Sequence, residues 1–123
     1  MTSPQTYLSE AEHLMAAPAT GTRGLWPRAC AWLLRLALES ALDIYWTATA
    51  PAVGACRSRR SQILMLSRYH EAGSARRVAM LWWSLSRAGH HHSYELALTA
   101  GELRHLHAEV RSVVVALQPG SPS

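Results

Sequence analysis

The sequence predicts an all-α fold, an up-and-down bundle of four to five helices, and two observations carry that reading. Apolar residues recur at three- and four-residue spacing along nearly the whole chain, and no stretch alternates with the two-residue period of a half-buried strand. Capping residues, prolines and glycines stand where this periodicity starts and stops. With 123 residues, 49% of them hydrophobic, the chain has the length of one domain and enough apolar side chains to build a core. Residues 1–117 are expected to form that bundle, and Gln118 to Ser123, rich in Pro, Gly and Ser, a loose tail.

The elements follow in order. Ser3 before Pro4 reads as an N-cap with proline in the first helical position, and Tyr7, Leu8, Ala11, Leu14 and Met15 then make one apolar face. Ala17 to Gly24, with Pro18, Gly21 and Gly24, is a loop. The second helix is expected from about Trp26 or Pro27 to about Ala48, ahead of Pro51. It is apolar nearly all round, except for a stripe of Arg28, Arg35, Glu39 and Asp43. A helix of that kind belongs at the centre of a bundle, with its polar stripe turned to solvent, a cleft or a partner subunit. A shorter third helix fits Ser58 to Arg68, with Ile63, Leu64 and Leu66 as its apolar residues. After the turn His70–Gly73, Ser74 is expected to cap a fourth helix with Val78, Leu81, Trp82 and Leu85 on its buried face, and Gly89 to end it. Thr99 and Glu102 form a capping box for the fifth, whose apolar face is Leu103, Leu106, Val110, Val113, Val114 and Leu117.

Charge and cysteine usage narrow the setting. All 12 basic residues are arginine, and the chain contains no Lys, Asn or Phe, the signature of a GC-rich coding sequence. Arginine therefore does solubility work that lysine normally shares, and its number alone points to no ligand. A net charge of +4 permits nucleic-acid binding without requiring it. Cys30 and Cys56 are too few for a zinc knuckle or a disulfide framework, and both are expected free, reduced and partly buried, as in a cytosol. Glu10, Glu12 and His13 argue against a signal peptide at the N-terminus. Arg28, Arg35, Glu39 and Asp43 interrupt the most apolar stretch, Leu25 to Ala50, so no membrane span is expected.

The conspicuous polar element is the segment Arg87–His92, with His90, His91 and His92, within the stretch Leu85–Leu96 that also holds Tyr94 and Glu95 and joins the fourth helix to the fifth. Histidine exchanges protons near neutrality, and arginine stays charged and grips phosphate bidentately. Together they suit acid–base chemistry on a phosphodiester. The competing reading is a solvated helix end, with protonated histidines complementing the C-terminal dipole. A metal site built from these histidines with His105 and His107 is disfavoured: residues two apart on a helix face different ways, and adjacent residues seldom chelate together. His107 shares a face with Leu103 and Val110 and reads as a buried, hydrogen-bonded histidine. No metal or cofactor is expected.

Arg57, Arg59, Arg60, Arg68, Arg76 and Arg77 bracket the third helix and invite a helix-turn-helix reading, but Leu81, Trp82 and Trp83 suit a core better than a DNA groove. A solvated basic face is the preferred account of these arginines. Trp26, Trp32, Trp46, Trp82 and Trp83 read as core or dimer-interface anchors rather than base-stacking platforms.

Three features resemble the HEPN superfamily, its actinobacterial members in particular. The long second helix, Arg28 to Asp43, has that fold's apolar body and acidic stripe. Arg87 followed by four residues and His92 matches the Arg-x(4–6)-His signature. The capped helix Thr99–Leu117 resembles the closing helix, so the likeness covers about Leu25 to Leu117. The resemblance implies an all-α bundle that dimerises and, in active members, a metal-independent ribonuclease often paired with an inhibitory partner protein, as in toxin–antitoxin systems. Arg87 would then stabilise the phosphate and His92 act as acid or base. His91 and His90 would assist, with Tyr94 beside them, and Glu39 or Asp43 would orient the cluster. Ala88 and Gly89 stand where catalytic members often carry a polar residue. The alternative is therefore a non-catalytic relative that binds nucleotide, RNA or a partner protein.

Overall fold

In a computed structural model, which describes residues 2–16, 25–89 and 98–120, the chain is helical, and no strand occurs among the described residues. The elements are α1 (Pro4–Ala16), α2 (Leu25–Thr49), α3 (Pro51–Gly54), α4 (Arg59–Met65), a 3-10 turn (Leu66–Arg68), α5 (Ala72–Gly89) and α6 (Ala100–Leu117). The six α-helices among the described residues include one the sequence did not predict, the single turn α3. Proline at its first position supplies a preset φ, and Ala50 before it leaves the helical region at φ −154° and ψ 81°. Pro51 therefore both stops α2 and starts α3.

Helix α2 is central, packing against α1, α5 and α6. Its apolar circumference explains why: Cys30, Leu34, Leu38, Leu42 and Trp46 are all fully buried. Around it close Leu8 and Ala11 of α1, Val78, Leu81 and Leu85 of α5, and Leu103, Val110, Val113 and Leu117 of α6. Each buried leucine or valine contributes roughly 1.5–3 kcal/mol of transfer free energy, so this shared core is the principal stabilising element. Polar ties fix the register of α1. Ser40 donates its hydroxyl to the Thr2 carbonyl at 3.0 Å, and His107 of α6 donates Nε2–H to the Leu8 carbonyl at 3.0 Å. His107 is buried as its position on α6 predicted, whereas His105 is exposed.

The end of α2 is held by aromatic packing. Tyr45 donates its hydroxyl to the Tyr69 carbonyl at 3.0 Å, and Trp46 meets Tyr69 edge-on at 5.3 Å between ring centroids. Gly54 lets α3 fold back here, because a Cβ at that position would lie 3.0 Å from Trp46 Cβ. Burial pushes the Tyr45 hydroxyl above its usual pKa, against the lowering effect of its hydrogen bond with Thr49.

Two of the three caps expected from the sequence are met and one is added; at α1, Ser3 Oγ accepts the Thr6 N–H at 3.2 Å as expected. Ser58 caps α4 by accepting from the Ser61 N–H, and Thr99 and Glu102 form the expected capping box on α6. At α5 the cap differs from expectation. The helix begins at Ala72, and the Glu71 carboxylate accepts the Gly73 and Ser74 N–H groups, each at 2.7 Å. A carboxylate with two oxygens satisfies two orphan donors at once, which one hydroxyl does not. Ser74 instead pairs its hydroxyl with Nε2 of the buried His70 at 3.1 Å.

Both cysteines are free, but only Cys30 is buried, and that burial pushes its thiol up to about 11. Cys56 is exposed, a correction that follows from its place between the one-turn helix α3 and the cap of α4. Among the described residues, no helix is long and apolar enough to cross a membrane.

Candidate functional site

Helix α5 places two faces of opposite character. Ala75, Val78, Leu81 and Leu85 turn into the core, while Arg76, Met80, Trp83 and Arg87 recur at spacings of four, three and four along the other side. All four of the second set are exposed, Met80 to 63% and Trp83 to 48%. Arg87 stands in the last described turn of the helix, at the foot of this face. His90, His91, His92 and Tyr94, the other candidates in the motif, lie outside the described residues.

Arginine and tryptophan interleave beside this face. Arg35 of α2 sits over the Trp82 ring and Arg60 of α4 over the Trp83 ring, each guanidinium carbon 5.7 Å from its centroid. The two indoles meet edge-on at 5.2 Å and 73°. Such cation–π contacts hold a guanidinium over the face of a ring. The sequence reads both tryptophans as core or dimer-interface anchors. Trp82 is half-buried, but Trp83 falls on the arginine face of the helical wheel, and that angular position was the signal for its exposure. Trp32 is also exposed, at 56%, because it lies on the polar stripe of α2 rather than on its apolar body.

Glu39 and Asp43 are engaged within the bundle. One oxygen of Glu39 accepts from Arg35 Nε at 3.2 Å and from Trp82 Nε1 at 3.0 Å. Arg59 donates to Asp43 at 2.8 Å and approaches Glu39 at 4.0 Å. The polar stripe of α2 therefore faces α4 and α5, where it is neutralised by arginines of the same chain. Among the described contacts, none joins Arg87 to either carboxylate, and Glu39 reaches α5 at Trp82, one turn and more before Arg87. The basic run is likewise only partly solvated: Arg59 is paired as above, and Arg77 bridges to Glu109 and Ser112 of α6 at 3.0 and 3.1 Å.

Between α4 with its 3-10 turn and α5 runs an open groove of about 370 Å³. Ile63, Leu64, Ala75, Ala79 and Trp83 give it an apolar lining, with Arg60 and Arg76 among its walls. Among the described residues, no group of three His, Cys, Asp or Glu side chains is placed to hold a metal ion.

Comparison with protein-family models, with curated proteins and with solved structures returns no match for this chain.

Proposed function

We propose that the protein is an HEPN-like helical protein that binds RNA along the exposed face of α5, with Arg87 and His92 as a metal-independent phosphodiester site at the end of that face. One observation supports this above the rest: Arg87 is exposed on the same side of α5 as Arg76 and Trp83, beside the interleaved Arg35, Trp82 and Arg60. Cations spaced along a helix suit successive phosphates, and an exposed indole among them suits an unpaired base.

In the enzymatic form of this reading, His92 takes the proton of a 2′-hydroxyl as its oxygen bonds to the adjacent phosphorus. The bond to the 5′-oxygen breaks, and His91 returns a proton to that leaving oxygen. Arg87 holds the non-bridging oxygens through the transition state, with His90 and Tyr94 as further contacts to the substrate. Glu39 acts as a positioning residue, holding Trp82 and Arg35, and Asp43 does the same for Arg59. The products are a 2′,3′-cyclic phosphate and a 5′-hydroxyl. A dimer pairing two such sites, in a cytoplasmic setting where RNA is the substrate, completes the reading.

The test is cleavage of single-stranded RNA in chelator-containing buffer. Wild-type protein is expected to yield cyclic-phosphate ends, and Arg87→Ala and His92→Ala to lose about 100-fold or more in rate with helicity unchanged. Turnover unaltered in both variants excludes the site. A second reading, a non-catalytic interaction module or half of a two-gene regulatory pair, draws on Leu64 and Met80, exposed to 70% and 63% beside Trp83. It predicts no cleavage and a partner complex that survives both substitutions.

A further inference from the structure

We propose that the groove between α4 and α5 is a docking site for an amphipathic helix of a partner protein, with acidic residues flanking that helix's apolar face. The groove shares Arg76 and Trp83 with the exposed face of α5, but its lining among the described residues does not include Arg87.

The form of the occupant follows from the walls. Both are helical, so their backbone N–H and C=O groups are already bonded within their own helices. An extended strand laid here would find no partners for its own backbone, whereas a helix brings its hydrogen bonds with it. The dimensions agree. Along α5 the wall runs from Ala72 to Trp83, a rise of about 16 Å, or three turns of a docked helix with anchors at i, i+4 and i+7. Ala72, Ala75 and Ala79 keep the α5 side shallow, while Leu64 on α4 and Trp83 on α5 rise as walls of large side chains.

The charge of the occupant follows from the lining. Arg60 and Arg76 both line the groove, and among the described residues no carboxylate does. Glutamates flanking the apolar anchors of an incoming helix would meet both cations. A second copy of this chain fits worse. A two-fold contact would set the Arg60 and Arg76 of each copy against those of the other, in a chain already carrying +4. RNA fits the groove itself less well than a helix does. The alanine methyls of its α5 wall offer a base edge nothing to hydrogen-bond. Trp83 and Arg76 belong both to the groove and to the exposed face of α5, so a docked acidic helix would compete with any ligand of that face.

The test uses the full-length chain and a fluorescent synthetic helix of about 18 residues, with leucines at i, i+4 and i+7 flanked by glutamates, beside a counterpart with lysines in place of the glutamates. Fluorescence anisotropy should show saturable binding of the acidic peptide, about tenfold or more tighter than of the lysine peptide. Leu64→Asp and the double substitution Arg60→Glu, Arg76→Glu should each weaken it by about tenfold or more while leaving the circular dichroism unchanged. These side chains lie at the surface, so the fold should tolerate their replacement. Equal binding of both peptides, no binding of either, or indifference to the substitutions overturns the proposal. So does sedimentation in which the wild-type chain is dimeric and Leu64→Asp monomeric, since a second copy would then fill the groove. Loss of RNA binding in Leu64→Asp, with the acidic peptide bound by neither protein, assigns the groove to nucleic acid and overturns it too.

Discussion

Glu39 shows how far one side chain's role depends on what folds against it. Its position on the polar stripe of α2 was legible, but its partners Arg35, Trp82 and Arg59 come from elements up to 43 residues away. Glu39→Ala should destabilise the protein by about 1–2 kcal/mol in urea titration, because it strips Trp82 Nε1 of its acceptor and Arg35 of its counter-ion. Glu39→Gln, which keeps an acceptor oxygen, should lose less. The Arg60–Trp83 stack was invisible for the same reason: no periodic rule connects residues on two different helices. Trp83 itself was partly readable, since its spacing from Arg76 and Arg87 puts it on their face. Cys30 and Cys56 allow a sharper check at this scale. A disulfide-exchange reagent at pH 8 should titrate Cys56 quickly and reach Cys30 only as the protein unfolds, because burial lifts the Cys30 thiol to about 11. Equal rates at both thiols would contradict the burial of α2.

At the level of elements, the helix ends separate what sequence rules capture from what they miss. The Thr99–Glu102 box was legible because both halves of the motif are local and of the preferred types. Glu71 was not, because the short side chains of Ser, Thr, Asp and Asn dominate the preference and Ser74 offered itself three residues later. The backbone N–H groups of Gly73 and Ser74, with smaller contributions from His70 and Arg76, hold the Glu71 carboxyl below its usual range. Thr99 does the same for Glu102. Their folded pKa values lie under the unfolded glutamate value of about 4.3, so both contributions are complete above that pH and fade as pH falls through the lowered folded values. Thermal melts should therefore show Glu71→Ala less stable than wild type at pH 7, with the difference closing in strong acid. Ser74→Ala should matter less at pH 7. A gap independent of pH would mean that Glu71 acts through something other than its charge.

The arrangement of the whole molecule was the most legible level, and α2 is the reason. A helix apolar around most of its circumference has to be wrapped, and α1, α5 and α6 wrap it. The closures between wrapping helices were less so. His107 could be placed in the core from its spacing, but the acceptor on α1, the Leu8 carbonyl, is 99 residues away in sequence. His107→Ala should cost about 2–4 kcal/mol through the cavity and the lost hydrogen bond, lowering the melting temperature by about 10 °C. The motif after Arg87 was the clearest functional signal in the sequence, and Arg87 is the part of it that the fold places, at the end of the face shared by Arg76 and Trp83.

That face is tested most directly by fluorescence anisotropy of a labelled single-stranded RNA oligonucleotide across a salt series. RNA binding along α5 predicts saturable binding that weakens steeply as salt rises, and a salt slope shallower by about one in each of Arg76→Ala and Arg87→Ala. Trp83→Ala should weaken binding by about 1–3 kcal/mol with the slope unchanged. An absence of binding at low salt, or affinity and slope the same in all three variants as in wild type, would contradict it.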